Sequence, residues 1–134
     1  MILFINTTDR EKAILAIIGK TRLLAKTVFA PRARLSESLP FKLQSLLKKA
    51  NLSFSDIKKI AVVRGPGSFV GSRTGVATAN ALAFTGKTPI VGLTEQEIPA
   101  NLADLNKLKY KKTIITPKYA APPNITMPRS KAKR

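Results

Sequence analysis

The sequence predicts an α/β fold with a mixed five-stranded sheet, whose elements follow one another as β-β-β-α-β-α-β-α. Three observations support this prediction. Residues 1–30 hold three short runs rich in β-forming residues, joined by tight polar turns, as in an antiparallel meander. Two later runs are almost continuously apolar, which favours strands covered on both faces. Apolar residues at helical spacing precede and separate those runs, so we expect helical crossovers to add parallel strands to the meander.

The first half of the chain supplies three strands and one helix. The strands are predicted at residues 1–7, 13–19 and 23–29. A helix is predicted at residues 35–50, because leucines recur there on one face. Ser36 and Ser38 are its N-cap candidates, and Lys48 and Lys49 suit its last turn.

The second half alternates strands and helices. It is predicted to contain a strand at residues 57–63, a helix of small residues at 72–84 that ends at Gly86, and a strand at 89–93. Thr94 and Glu97 match a capping box and predict a last helix. Pro99 falls early in that helix and weakens the prediction of its start.

The composition excludes several classes of site. The 134 residues suffice for one domain, and they include no cysteine and no histidine. Disulfides, thiolate metal sites and catalytic triads that need histidine are therefore excluded. With seven carboxylates in the whole chain, we expect no catalytic residues, no metal and no cofactor. No apolar run is long enough for a membrane helix and no signal peptide is recognisable, so a cytoplasmic protein is expected.

Positive charge is concentrated at the C-terminal end. Residues 107–134 carry nine Lys or Arg and no acid, out of a total net charge of +17. We therefore expect a domain at residues 1–106 and a basic, proline-rich tail at 107–134 that is partly extended or disordered. A basic tail attracts phosphate backbones, with Tyr110 and Tyr119 available for stacking. The candidate nucleic-acid contacts are Lys109, Lys111, Lys112, Arg129, Lys131, Lys133 and Arg134.

The strongest local motif is a glycine-rich loop between a predicted strand and a predicted helix. Its glycine spacing is one residue longer than the dinucleotide fingerprint GxGxxG, and no Walker A loop is present. A structural turn and an anion site at a helix N-terminus both remain open. Arg64 and Arg73 flank the loop, and either could bind phosphate or a partner's carboxylate, or cover apolar surface. The residues singled out in and after this loop are Gly65, Pro66, Gly67, Ser68, Phe69, Gly71 and Arg73.

Residues 65–73, with the sequence GPGSFVGSR, resemble the GPGSFTGLR signature of the TsaB (YeaZ) family. The following residues 75–79, GVATA, and the opening strand at residues 2–8 are also similar to that family. The resemblance extends over about residues 1–104. It implies an RNase H-like (actin/hexokinase-like) fold, here as a single lobe.

The resemblance also implies a function. Members of this family act as non-catalytic dimerisation subunits in the modification of tRNA to N6-threonylcarbamoyladenosine at position 37. They pair with a TsaD-like catalytic subunit, which a TsaE-like ATPase joins, through helices that correspond here to about residues 35–50 and 72–85. The expected partner interface is Leu35, Leu39, Leu43, Leu46, Leu47, Val76, Ala79 and Ala83. Whether the isolated chain forms a homodimer is left open.

Departures from the family pattern keep other functions open. Asn6 stands where the family has an aspartate, and an amide is a poorer magnesium ligand. Leu35-Ser36 replaces a His-Ser pair, and we expect that the family's second lobe has been lost. The alternatives are a basic tRNA-binding accessory protein and an enzyme of the same fold that handles ATP or resembles an M22-type peptidase.

Overall fold

The computed structural model describes residues 1–31 and 35–118, apart from the side chain of Phe69. The predicted elements form, with changes at the helix ends and in the last segment. The strands are β1 Ile2–Asn6, β2 Ala13–Ile18, β3 Leu23–Phe29, β4 Lys59–Gly65 and β5 Ile90–Thr94. The helices are α1 Leu35–Lys49 and α2 Phe69–Gly86. In the described parts of the chain, no helix is both long and apolar enough to cross a membrane.

The five strands form one mixed sheet in the order β3-β2-β1-β4-β5. β1 pairs antiparallel with β2, and β2 pairs antiparallel with β3, which is the predicted meander. β4 pairs parallel with β1, and β5 pairs parallel with β4, through the crossovers that carry α1 and α2. The predicted fold class is therefore confirmed, with β1 at the centre of the sheet.

One face of the sheet is covered by the two helices. α1 lies over β2 and β3, and α2 lies mainly over β4. Leu3, Leu15 and Val62 from the sheet meet leucines of α1 and the small residues of α2 in one buried cluster. Burying these apolar side chains stabilises the fold by about 25 cal/mol per Å² of apolar surface removed from water.

Helix α1 begins earlier than its predicted cap. Leu35 is already helical and buried, so Ser36 and Ser38 lie in the first turn and the prediction that either is the N-cap is wrong. The Ser38 hydroxyl instead donates a hydrogen bond to the carbonyl oxygen of Leu35 at 3.3 Å. After the helix, Asn51 adopts a left-handed conformation with φ of 61°, which is a common way to end a helix.

The second face of the sheet is covered by residues 98–110 instead of a third α-helix. Two 3₁₀ turns occur at Glu95–Glu97 and Leu102–Lys107. Between them, Ile98 is extended because it precedes Pro99, and proline disfavours helical backbone in the residue before it. The predicted capping contact is nevertheless present, because the Thr94 N–H donates to the Glu97 carboxylate at 2.8 Å. Ile98, Leu102, Leu105, Leu108 and Tyr110 pack against this face.

The segment from Lys111 to Lys118 is extended but held against the domain. Lys111 and Ile90 exchange two backbone hydrogen bonds, of 2.8 and 3.1 Å. The Asn80 side chain accepts from the Ile115 N–H at 2.9 Å and donates to the Ile115 carbonyl oxygen at 2.8 Å. The Lys118 N–H donates to the carbonyl oxygen of Arg64 at 2.6 Å. The part of the chain assigned by sequence to the tail is therefore attached to the domain as far as Lys118.

Tyr110, at the end of the segment that covers the second face of the sheet, gives the stability of the domain a testable pH dependence. Its hydroxyl donates to the Leu105 carbonyl oxygen at 2.7 Å, and burial raises its pKa to about 12. The unfolded chain loses this proton near pH 10 while the folded chain keeps it, so the stabilisation is complete below pH 10 and falls between pH 10 and 12. We expect Tyr110→Phe to lower the free energy of unfolding by about 1 kcal/mol at pH 7.

The measurement is urea unfolding of wild type and Tyr110→Phe at pH 7, 9 and 11. The deficit of the variant should shrink as the pH rises towards 11, because only the wild type carries the titrating hydroxyl. An equal deficit at all three pH values would contradict the role of burial in holding this proton.

Candidate functional site

The glycine-rich loop connects β4 to α2 at the carboxyl end of the sheet. Gly65 has a φ of +128°, a conformation that side-chain-bearing residues rarely adopt, and the Gly65–Pro66 peptide bond is cis. Ser68 is the N-cap of α2, and its hydroxyl accepts a hydrogen bond from the Gly71 N–H at 2.9 Å. The helix therefore begins at Phe69, three residues before its predicted start at Ser72.

The loop is pressed against the end of β1. The Thr7 hydroxyl donates to the Gly71 carbonyl oxygen at 2.7 Å, and the Ser68 N–H donates to the Thr8 carbonyl oxygen at 2.8 Å. A Cβ atom added to Gly67 would overlap Thr8, and one added to Gly71 would overlap Thr7. The glycines therefore permit close contact between two backbones. Of the two interpretations left open by the sequence, this packing favours the structural turn.

Polar groups at the end of β1 are hydrogen-bonded to one another. The Thr8 N–H and hydroxyl lie 3.2 and 2.8 Å from the Asn6 side-chain oxygen. The same hydroxyl lies 2.5 Å from a carboxylate oxygen of Glu95, which follows β5. Among residues 1–31 and 35–118, no three His, Cys, Asp or Glu side chains lie close enough together to hold a metal ion.

A small polar hollow lies beside the loop. Its volume is about 250 Å³, and its polar lining includes Thr7, Asp9, Arg10 and Ser68. Pockets that bind small molecules usually measure about 300–1,000 Å³, so this hollow is small for a nucleotide.

The two arginines that flank the loop lie in different surroundings. The Arg64 side chain bonds to Thr116, with its Nε donating to the carbonyl oxygen at 2.9 Å. It therefore tethers the C-terminal segment. Arg73 lies on the exposed side of α2.

The structure corrects the predicted partner interface. All eight side chains are buried in the domain's own core, where the α1 leucines and the α2 residues contact the sheet: Leu35, Leu39, Leu43, Leu46, Leu47, Val76, Ala79 and Ala83. The leucine stripe has the spacing of a core-facing helix surface, and burial against the sheet accounts for all of it. These residues are therefore unavailable for contact with a partner.

The opposite sides of the same helices carry exposed apolar residues that the sequence analysis missed. On α2, Val70 is 65% exposed and Phe84 is 84% exposed, with the exposed Ala77 and Ala81 between them on one helical stripe. On α1, Phe41 is 70% exposed. We call these five residues the outward face. The signal that could have identified it is the presence of two phenylalanines outside the buried stripes.

The candidate nucleic-acid contacts fall into two groups. Lys109, Lys111 and Lys112 are exposed, whereas the others lie outside the described residues: Arg129, Lys131, Lys133 and Arg134. Tyr119 also lies outside them. Tyr110 is half-buried, and the Lys59 ammonium lies 5.2 Å from the centre of its ring. The prediction that Tyr110 is available for stacking is therefore wrong, because this ring packs against the sheet.

Comparison with known proteins identifies a matching family model and several relatives. A family model described as TsaD, tRNA N6-adenosine threonylcarbamoyltransferase, matches residues 29–116. TsaB of Escherichia coli (strain K12), a tRNA threonylcarbamoyladenosine biosynthesis protein, is 33% identical over 87 residues. That match covers 65% of this chain and 37% of the relative. The chain spans well under half the length of the curated relatives it matches.

Solved structures agree with this comparison. YeaZ from Pseudomonas aeruginosa superposes with a TM-score of 0.66 at 27% identity, covering 79% of this chain and 49% of that one. RuvC from T. thermophilus, solved with a Holliday junction substrate, superposes with a TM-score of 0.52 at 11% identity, covering 77% and 85%. At 11% identity the likeness to RuvC shows the fold alone. Both neighbours are RNase H-like, so the RNase H-like prediction is confirmed.

Proposed function

The chain belongs to the family of the TsaD model and, within it, to TsaB (YeaZ), and from that premise we propose that it is a non-catalytic subunit of the machinery that makes N6-threonylcarbamoyladenosine in tRNA. Its partner is a TsaD-like transferase, which carries out the transfer reaction. A TsaE-like ATPase joins the complex. The observation that carries this proposal is the outward face on the two helices.

The chemistry of the chain supports a role without catalysis. The sequence contains no histidine or cysteine, so the usual general base and thiol nucleophile are missing. The polar groups at the carboxyl end of β1 are bonded within the chain, with Asn6 and Glu95 both close to the Thr8 hydroxyl. A preformed interaction surface therefore fits this domain better than an ATP-handling site does.

The outward face has the properties of a helix-pairing surface. Ala77 and Ala81 lie in the middle of the α2 stripe, where small side chains allow a partner helix to approach closely. Val70 and Phe84 stand at its two ends and supply apolar area. Large apolar side chains exposed along one helical stripe suit a protein interaction site. We propose that the TsaD-like partner covers this face.

The experiment combines the purified chain with the TsaD-like transferase of the same organism. Size exclusion with light scattering should give one heterodimeric peak at micromolar concentration, in place of two separate peaks. Threonylcarbamoyl transfer to tRNA should require both proteins, and a TsaE-like ATPase with ATP should increase its turnover. Separate peaks contradict the pairing, and transfer by this chain alone contradicts its non-catalytic role. A peak with twice the chain's mass reports the homodimer instead.

We also propose a tRNA contact through the basic residues beyond Lys118. Four Lys or Arg lie in residues 119–134, and their positive charges favour association with phosphates. Truncation at residue 118 leaves the docked segment intact. It should weaken the binding of tRNA to the complex and flatten the dependence of log K on log salt, as measured by filter binding between 50 and 200 mM salt. An unchanged salt slope rejects this contact.

A further inference from the structure

A long groove lies at the end of the sheet opposite the glycine loop. It consists of two adjoining hollows of about 820 and 630 Å³, which share Thr85, Lys87, Thr88 and Lys112. One wall is the last turn of α2, and the other walls are the 3₁₀ turn Phe54–Asp56 and the chain around Lys112. Phe84 of the outward face lines the second hollow, and the other residues of that face lie outside the groove.

The lining of the groove is largely apolar. Ile57 and the half-buried Leu82 form part of its floor. Phe54, which is 43% exposed, lines one end, and Ile114, which is 78% exposed, lines the other. A concave surface with this lining suits apolar anchor residues of a bound segment.

The rim of the groove is positively charged. Lys58, Lys87 and Lys112 line it and are exposed, and none of the groove's lining residues is an acid. The nearby Asp56 accepts a hydrogen bond from the Ser53 N–H at 2.8 Å. Among the described residues, no ion pair neutralises any of the three lysines. Burial lowers the pKa of the nearby Met1 amino group, with Lys58 and Lys59 lowering it further and Asp56 acting in the opposite direction.

We propose that this groove binds an acidic protein segment that carries apolar anchor residues. The lysines at the rim meet the carboxylates, and the floor receives the apolar side chains, as in other grooves that bind amphipathic segments. A nucleic acid fits less well, because the central floor is aliphatic and the rim offers lysine rather than the arginine forks typical of base and phosphate recognition.

The test uses the full chain and a fluorescein-labelled amphipathic peptide of glutamate and leucine, with leucines on one helical face. Fluorescence anisotropy should give saturable binding with a Kd on the order of tens of micromolar. A peptide with serine in place of leucine, and one with lysine in place of glutamate, should both fail to bind. A single-stranded RNA of equal charge should bind more weakly than the glutamate–leucine peptide.

Matched double variants localise the binding. Lys87→Glu with Lys112→Glu should raise the Kd at least about tenfold. Lys12→Glu with Lys26→Glu changes the charge equally at exposed positions outside the groove and should leave the Kd within about twofold of wild type. In amide NMR spectra, the peptide should shift the signals of Thr85, Gly86 and Thr113.

Three results would overturn the proposal. Equal binding of the serine peptide would reduce the effect to non-specific charge attraction. If RNA bound more tightly than the glutamate–leucine peptide, and if the Lys87→Glu, Lys112→Glu variant lost affinity for RNA, the groove would be assigned to nucleic acid. No binding at about 1 mM peptide would remove the site. Because the TsaD-like partner is absent from this assay, its outcome is independent of whether the outward face pairs with that partner.

Discussion

Replacing Gly71 by alanine is expected to lower the free energy of unfolding by about 3 kcal/mol. The added methyl group would overlap the carbonyl oxygen of Thr7, a backbone atom directly after the central strand that cannot rotate away. It would also lie against the Ser68 hydroxyl, which caps the helix. The substitution forces α2 away from β1 and weakens the Thr7–Gly71 hydrogen bond, which outweighs the usual small gain of alanine over glycine in a helix.

Gly86→Ala is the matched control for this prediction. It makes the same change at the exposed C-terminal end of the same helix, where the nearest obstacle is the rotatable Thr88 side chain. We expect no loss of stability there, and a gain of up to about 0.5 kcal/mol. Urea unfolding followed by circular dichroism measures both variants. If the Gly71→Ala variant is as stable as the control, the loop does not hold α2 against β1 as described.

Replacing Ala77 by arginine is expected to weaken the binding of the TsaD-like partner about a hundredfold. Ala77 lies at the centre of the outward face, where a long charged side chain would hold two helices apart and bury its charge without a partner. The position is exposed in the free chain, and arginine is a good helix former, so folding should be unaffected. Isothermal titration calorimetry with the purified transferase gives the affinity directly.

Ala100→Arg serves as the control, because it makes the same change at an exposed position among the segments covering the opposite face of the sheet. Its affinity should match wild type, and both variants should melt at the wild-type temperature. Wild-type affinity in Ala77→Arg would mean that the partner binds elsewhere on the molecule. Threonylcarbamoyl transfer measured with each variant should follow the same order as the affinities.

The sheet could be predicted from sequence because its signals are local. Runs of β-forming residues, tight polar turns and helical crossovers between continuous apolar strands are enough to predict a mixed five-stranded sheet, although they do not give the order of its strands. The leucine stripe of α1 was also read correctly as a helix surface. The role of this surface was predicted wrongly, because a period of about 3.6 residues identifies an apolar face without telling whether the sheet or a partner covers it.

The docking of residues 111–118 against the domain was not predicted, for a different reason. Residues 111–118 are held mainly by hydrogen bonds, from the backbone at Lys111 and Lys118 and from the side chains of Asn80 and Arg64. Such contacts leave no pattern of apolar residues, and the prolines and lysines around them resemble those of a disordered tail. The predicted third helix does not form, because Pro99 holds the preceding residue in an extended conformation.

The glycine loop can be recognised from the sequence, but the reason for its glycines is visible only in the structure. The sequence places glycines between a strand and a helix, which fits both an anion site and close packing. The distances decide in favour of packing, because Thr7 and Thr8 occupy the space that side chains at Gly71 and Gly67 would need.

The central position of β1 determines the order in which this chain can become compact during synthesis. The strand that pairs with β1 in parallel begins at Lys59. Gly71 of α2, whose carbonyl oxygen accepts a hydrogen bond from the Thr7 hydroxyl, lies 64 residues after Thr7. A nascent chain that has emerged only through β3 can close the meander but has neither helix to cover it. Its apolar surface then stays accessible to chaperones until α2 leaves the ribosome, and native contacts of such long sequence separation slow folding.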